Sequence, residues 1–346
     1  MGNQDMSFGS AAIVGLGRMG LRHGQVLHNL GMRVAAVADA NPEAVARAAG
    51  EFGVAMEACH ADGFALLSRM VPDLLIVATT AQAHAELVIA AAERGVKLIL
   101  CEKPMAVSLS QCDRMIEACE RHGARLAINH QMRFMDQYVR PKALLESSSF
   151  GGVTAVTVVA GNFGLAMNGS HYLEMFRFIT GEAPAQVSAW FSSGGVPNPR
   201  GPQFEDRAGS MRVETASGKR FYLDCSADQG HGVRVVYAAR HGQIAIDELA
   251  GRMVLSVRTA EHLDMPTTRY GMPWLDTDQE IAPADVIAPT QAVLAALLAG
   301  RDYPSGEDAR MALEALAAAY WSAENGNASI AIGDPRIARD RIFPWA

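Results

Sequence analysis

The glycine triplet in Gly15-Leu16-Gly17-Arg18-Met19-Gly20 constrains this chain more than any other feature. It closes the apolar run Ala11–Gly15 and opens the helical stretch Arg18–Asn29, so the G-x-G-x-x-G pattern sits at a strand-to-helix turn. Gly15 is expected to make the tight turn, Gly17 to let backbone approach a diphosphate, and Gly20 to let helix pack close to strand. The diphosphate would rest on the N–H groups and positive end of that helix, with Gly15, Gly17, Arg18, Met19 and Gly20 around it. Asp39 ends the second apolar run, close to the offset at which a carboxylate meets the adenosine ribose. A carboxylate there accepts both ribose hydroxyls of NAD and repels a 2′-phosphate, and Ala40-Asn41-Pro42-Glu43 supplies no arginine to hold one. NAD is therefore expected in preference to NADP, although Arg18 lies in the glycine loop. The plain alternative for Asp39 is a cap on the helix that begins at Pro42.

The stretch from Ala11 to Asn129 repeats the strand–helix order. Candidate strands are Ala11–Gly15, Arg33–Ala38, Asp73–Ala78, Lys97–Cys101 and Arg125–Asn129, with alanine-rich helical segments between them. Runs such as Leu74-Leu75-Ile76-Val77-Ala78 are apolar throughout rather than alternating, as parallel strands covered on both faces are. After Tyr138 the texture changes. A helix near Pro141–Ser147 precedes alternating strands at Val153–Asn162, Ala185–Phe191, Ser210–Thr215, Arg220–Cys225, Val233–Arg240, Gln243–Asp247 and Arg252–Val257. Ser217-Gly218 and His241-Gly242 read as hairpin turns and Gly194–Pro202 as a loop. Helices at Pro289–Ala299 and Gly306–Asn325 close the chain. The expected fold is an α/β Rossmann domain with a doubly wound parallel sheet, residues 1–130. An α+β C-terminal domain with a large, mostly antiparallel open sheet, residues 131–346, is expected to follow.

Composition narrows the function classes. With 346 residues, 49% of them apolar and 19% charged, the chain can bury one or two cores and is not disordered. A net charge of −7 argues against a nucleic-acid partner. No apolar run approaches the roughly 18 residues that span a bilayer, and the N-terminus lacks signal-peptide features, so a cytoplasmic protein with no membrane partner is expected. The five cysteines are scattered without a C-x-x-C pair, which points to reduced, buried thiols and to no metal site. P-loop, zinc-protease, serine-hydrolase and zinc-deaminase patterns are missing.

The strand ending at Cys101 runs into Glu102-Lys103-Pro104. Together with the glycine loop, Ala78-Thr79-Thr80 with His84, Asn129-His130-Gln131-Met132-Arg133-Phe134, Gly169-Ser170-His171-Tyr172-Leu173-Glu174 and Tyr320-x-Ser322-Ala323, it makes the chain resemble the glucose–fructose oxidoreductase and inositol dehydrogenase (Gfo/Idh/MocA) family over nearly its whole length. That resemblance implies an NAD-dependent dehydrogenase that moves a hydride between the nicotinamide and a hydroxyl-bearing carbon of a polyol, sugar or sugar derivative. It places Thr79, Thr80, His84, Glu102 and Lys103 at the cofactor. Lys103 becomes the first catalytic candidate, since an ammonium there polarises a carbonyl or stabilises an alkoxide, and burial would let it act as a base. His171 is the second, as proton acceptor. His130, Arg133 and Asn168, with Lys103 and His171, are the candidate substrate contacts, inter-domain ion pairing being the equal alternative for Arg133.

One departure stands out. Relatives with D-x-G-x-H carry an aspartate where this chain has Met167, so His171 lacks its usual carboxylate neighbour, and Glu174 is the expected substitute. His231 and Arg234 are further cleft candidates. The resemblance also implies a cis bond before Pro104 and a homodimer or homotetramer paired through the open face of the second sheet. Two other outcomes fit the same fold: a glycosidase that oxidises its substrate transiently on bound NAD, and a non-catalytic NAD(H)-binding regulator.

Overall fold

Strands whose every residue is apolar become the centre of a parallel sheet. In the computed structural model, which describes residues 9–195, 197–198, 200–266 and 273–345, that sheet contains β1 (Ser10–Val14), β2 (Arg33–Ala38), β3 (Cys59–His60), β4 (Leu74–Val77), β5 (Leu98–Cys101) and β6 (Arg125–Ile128). All its pairs are parallel and their order is β3-β2-β1-β4-β5-β6. The four residues of β4 are wholly buried, each worth about 1.5–3 kcal/mol relative to exposure. The two-residue β3 is too short to carry a periodic signal and was not among the expected strands.

The crossover helices begin and stop where their end residues dictate. In α1 (Arg18–Asn29) the N-cap is Gly17, with no side-chain cap and no acidic residue in the first turn. By contrast α2 (Pro42–Phe52) has Pro42 at its start, Asn41 Oδ1 accepting from Glu43 N at 2.9 Å, and Gly53 left-handed at its end. The same grammar sets α3 (Gly63–Arg69), capped by Asp62, and α5 (Leu109–His122), capped by Ser108 and stopped by Gly123, with α4 (Ala81–Glu93) between them.

After α6 (Asp136–Leu145) the chain builds a nine-stranded sheet in the order β14-β13-β12-β11-β7-β10-β9-β8-β15. Its members are β7 (Val153–Gly161), β8 (Pro184–Gly195), β9 (Arg207–Thr215), β10 (Arg220–Ser226), β11 (Arg234–Ala239), β12 (Gly242–Asp247), β13 (Arg252–Arg258), β14 (Trp274–Glu280) and β15 (Ile330–Ala331). Only β7 and β10 pair in parallel. α7 (Ser170–Thr180) and α9 (Gly306–Glu324) share a core with its inner face, through Phe176, Ile179, Leu313 and Leu316 against Val156, Val158, Phe221 and Leu223.

Three boundaries differ from expectation. Helix α6 starts at Asp136, before Pro141, and the Gln137 carbonyl that Pro141 cannot satisfy accepts from Tyr237 Oη at 3.4 Å. Strand β8 continues to Gly195, inside the expected loop. Finally α8 (Ile287–Ala299) returns to the first sheet, its Val293, Leu294 and Leu297 packing with Ala11, Ile13 and Leu74, so a division at residue 130 splits one core from one of its helices. Among the described residues, no helix is long and apolar enough to cross a membrane.

Candidate active site

A cavity of about 720 Å³ opens at the carboxyl ends of β1, β2 and β4, where strand order reverses. Its walls include Gly15, Gly17, Arg18, Met19, Asp39, Thr79 and Thr80. The three glycines do different work. A Cβ on Gly15 (φ +91°) would come within 2.6 Å of the Ala78 carbonyl, and one on Gly20 would overlap the Gly15 carbonyl oxygen. Around Gly17 there is nothing within 4 Å, so the one glycine facing open space is the one expected to touch the diphosphate. The N–H groups at the start of α1, free of any cap, point to the same place. Asp39 Oδ2 accepts from Leu16 N at 2.6 Å and Oδ1 from Asn41 N at 2.8 Å, fixing the carboxylate at the cavity wall with lone pairs to spare. Phe64 and Ala61, absent from the sequence expectation, also line the cavity, and Phe64 is 47% exposed. These features fit a dinucleotide.

Beneath the floor lies a buried carboxylate. Glu102 Oε1 accepts from His23 Nε2 and Asn129 Nδ2, both at 2.8 Å. Burial alone would raise its pKa, but those bonds and the charge of His23 and Lys103 carry it down to about 2. His23 was missed because it lies inside α1, among residues of ordinary helical spacing. His84 is buried, Nδ1 3.0 Å from the Pro104 carbonyl and Nε2 3.2 Å from that of Thr79. Burial lowers its pKa, so it stays neutral with one N–H and donates to one carbonyl at a time. It ties the β4 turn to the Lys103-Pro104 peptide, which is cis.

The catalytic candidates gather behind Met167: Lys103, His130 and His171 are not themselves lining residues of the cavity, and the charge of Lys103 reaches both histidines. Lys103 Nζ donates to the Met167 carbonyl at 2.6 Å, and Met167 lines the cavity. Burial, partly opposed by Glu102 and assisted by Arg200 and Arg18, brings the Lys103 pKa down to about 8. The ring of His130 meets that of His171 edge-on, centroids 5.4 Å apart. Burial and then Arg133 and Lys103 take His130 down to about 3, while burial, Lys103 and His130 hold His171 well below its usual range. Both imidazoles are therefore neutral at physiological pH. Both ring nitrogens of His130 and Nδ1 of His171 are buried without a partner among the described residues, an arrangement that costs free energy until something bonds to them.

The carboxylate that organises this end is not Glu174. Its Oε1 accepts from Arg133 Nη2 and, at 3.1 Å, from Arg177 Nη2, while Arg133 also reaches Asp308 at 2.7 Å. Glu174 thus belongs to an ion cluster joining α7 and α9, and does not orient His171. Arg133, only 7% exposed, has its charge taken by that cluster, so its position matches inter-domain pairing. Instead Asp206, which the sequence did not single out, accepts from Ala166 N at 2.8 Å and Met167 N at 3.1 Å. It thereby holds the π-helical turn Leu165–Gly169 whose Met167 carbonyl grips Lys103. A Cβ on Gly164 would collide with the Asp206 carboxylate, the one local trace of this contact. Burial raises the Asp206 pKa to about 6. Asn168 sits on the same turn, partly exposed, its side chain without a hydrogen-bond partner among the described residues.

Several candidates lie elsewhere. His231 bonds the Gly232 carbonyl at 2.7 Å and Arg234 pairs with Asp247 at 2.8 Å, and neither lines the cavity. Tyr320 and Ser322 are structural, accepting from Trp345 Nε1 at 3.1 Å and Ala189 N at 3.0 Å. All five cysteines are free, and no metal-binding cluster occurs among the described residues.

Comparison with known proteins agrees with this geometry. The family model GFO_IDH_MocA, described as an oxidoreductase family with an NAD-binding Rossmann fold, matches residues 10–130. Inositol 2-dehydrogenase of Streptomyces avermitilis is 31% identical over 241 residues, 65% of this chain and 67% of that protein. D-apiose dehydrogenase of Paraburkholderia graminis is 26% identical, over 91% of this chain and 88% of the relative. Among solved structures, an oxidoreductase from Agrobacterium radiobacter in complex with NAD+, L-tartaric acid and magnesium superposes with a TM-score of 0.77 at 23% identity, over 94% of this chain and 98% of that one. The chain thus belongs to the Gfo/Idh/MocA family, as an NAD-binding oxidoreductase.

Proposed function

We propose that the chain oxidises a secondary hydroxyl of a polyol, sugar or sugar derivative, or reduces the corresponding carbonyl, with NAD in preference to NADP. The observation that carries this reading is Lys103, an amine with a pKa near 8 beside two neutral histidines whose ring nitrogens lack partners. The inositol and D-apiose activities of the relatives supply the substrate class.

NAD, cradled by Gly15, Gly17, Arg18, Met19, Gly20, Asp39, Thr79 and Thr80, supplies a hydride acceptor. Lys103 handles the proton. In its neutral form it takes the hydroxyl proton as the carbonyl forms; as an ammonium it donates in the reverse direction and stabilises the alkoxide. His171 and His130 offer N–H donors or lone pairs to the remaining hydroxyls, and Asn168 offers an amide, so a polyhydroxylated ligand satisfies nitrogens that are otherwise orphaned. Glu102 acts from below as a positioning residue, its charge moderating the depression of the Lys103 pKa.

A homodimer or homotetramer paired through the outer face of the nine-stranded sheet belongs to the same reading, since Trp190 and Tyr222 stand exposed on β8 and β10. Sedimentation of the wild type and of Trp190→Asp tests that part.

The test of function is a screen of polyols and sugars with NAD, followed by absorbance of the reduced nicotinamide. One NADH per substrate oxidised supports a dehydrogenase. Glycoside cleavage without net NADH indicates the glycosidase, and bound NADH with no turnover of any substrate indicates the regulator.

A further inference from the structure

The connection between β8 and β9 carries a cation of the second half of the chain into the cavity of the first. Arg200 lines it alongside Gly17, Arg18 and Met167. Neither Arg200 nor Arg18 has an ion pair or a side-chain hydrogen bond to a carboxylate among the described residues. Solvent still reaches Arg200, yet loss of hydration lowers its pKa, with Glu102 opposing and Arg18 adding repulsion. The same two guanidinium groups repel the Lys103 ammonium.

Two cations therefore line one end of the cavity with a third, Lys103, behind Met167, and the nearby carboxylates already accept hydrogen bonds without pairing with either guanidinium. Of the lining carboxylates, Asp39 accepts from the Leu16 and Asn41 amides and Asp62 from the Ala65 amide; behind the wall Glu102 is held by His23 and Asn129, and Asp206 by the Ala166 and Met167 amides. The first N–H groups of α1 are independently short of an acceptor, with no cap side chain and no acidic residue in the first turn. What the arrangement lacks is an anion carrying more than one charge, lying between the glycine loop and Arg200.

We propose that Arg200 grips the diphosphate of NAD from the second half of the chain, so that the diphosphate lies among the α1 amides, Arg18 and Arg200. A guanidinium suits this role because its fixed fork of donors matches phosphate oxygens. Because Arg200 lies between two strands of the second sheet and the glycine loop follows a strand of the first, the cofactor bridges the two halves, and its release requires Arg200 to let go. The inference rests on NAD occupancy of the cavity and not on the reaction assigned to Lys103.

Fluorescence titration of the full-length chain with NADH, and competition by ADP-ribose (a diphosphate without a nicotinamide), tests it in wild type, R200A and R200K at low and high salt. Loss of a charge-assisted bond is expected to weaken both ligands about tenfold or more in R200A, with partial recovery in R200K. Salt should weaken binding to R200A less than to wild type. Melting temperatures of the three proteins separate this effect from misfolding, and R200K carries the test if R200A melts early. Affinities within about twofold of wild type overturn the proposal, and a raised KM at saturating NAD would then assign Arg200 to an anionic substrate group. Weakened NADH with unchanged ADP-ribose also overturns it, placing Arg200 at the nicotinamide. NADH binding that depends on Arg200, in a protein that oxidises no sugar or polyol, leaves this inference standing and defeats the function proposed above.

Discussion

The two ends of the cleft differ in how they hold their central ionisable group. At the cofactor end Glu102 is met by two donors and His84 donates to one of the two carbonyls it faces, so both are positioned before any ligand arrives, while His23 Nδ1 and Asn129 Oδ1 keep no partner among the described residues. At the other end His130, just after β6, and His171, on α7, keep buried nitrogens without partners among the described residues, and the nearby Met167 carbonyl holds Lys103. A site for one invariant ligand is best built rigid, whereas a site for a polyhydroxylated substrate leaves hydrogen-bonding capacity for that substrate to complete. The difference separates residues whose loss should damage folding or cofactor affinity from those whose loss should damage turnover alone.

The largest expected effect sharpens that separation. Lys103→Ala should cost about 10²–10⁴-fold in turnover with NADH affinity within about twofold, checked by steady-state rates and fluorescence titration. Turnover within about tenfold of wild type would remove Lys103 from proton transfer. Arg133→Ala tests the opposite class. Losing one member of the buried Glu174–Asp308 cluster should destabilise by about 3–5 kcal/mol, read as a lower denaturation midpoint, with KM unchanged below the transition. A raised KM without loss of stability would restore Arg133 to the substrate.

The glycine loop allows a paired test. Gly20→Ala must push against the Gly15 carbonyl and is expected to lose about 1–3 kcal/mol of stability. Gly17→Ala meets open space, so its melting temperature should stay close to wild type while NADH binds more weakly. Equal melting temperatures for the two variants would break the distinction. A smaller change is expected at Asp39→Ala, where the preference for NADH over NADPH should narrow by about tenfold as repulsion of the 2′-phosphate is lost. A linkage effect tests the burial of Lys103 by another route. The Lys103 pKa falls from 10.5 to about 8 on folding, so its burial costs stability fully below pH 8, and the cost fades as pH rises toward 10.5. Lys103→Met should therefore raise the melting temperature at pH 7 and lose that advantage near the upper limit.

Legibility in the sequence followed the range of the signal. The glycine loop, Asp39 and the apolar strands declare themselves within a few residues, and a doubly wound parallel sheet followed from their repetition. Strand β14 was missed because Trp274–Glu280 is an edge strand without a buried alternating face. Asp206 lies 39 residues from the Met167 amide it holds, with only Gly164 hinting at the space it fills. Glu174, one turn beyond His171, is drawn to Arg133 and Arg177 by charges that local spacing cannot reveal. Arg200 stands in a segment rich in proline and glycine that reads as a loop and nothing more.

Proton transfer by Lys103 is tested most directly by the pH dependence of kcat/KM for oxidation of the best substrate, in wild type and in Lys103→Arg. The expected wild-type profile rises through an apparent pKa near 8 as the ammonium loses its proton, and the arginine variant, which stays protonated, shows low activity without that rise. A wild-type rate that is flat between pH 6 and pH 10, or an arginine variant that keeps both the rate and the inflection, would contradict it.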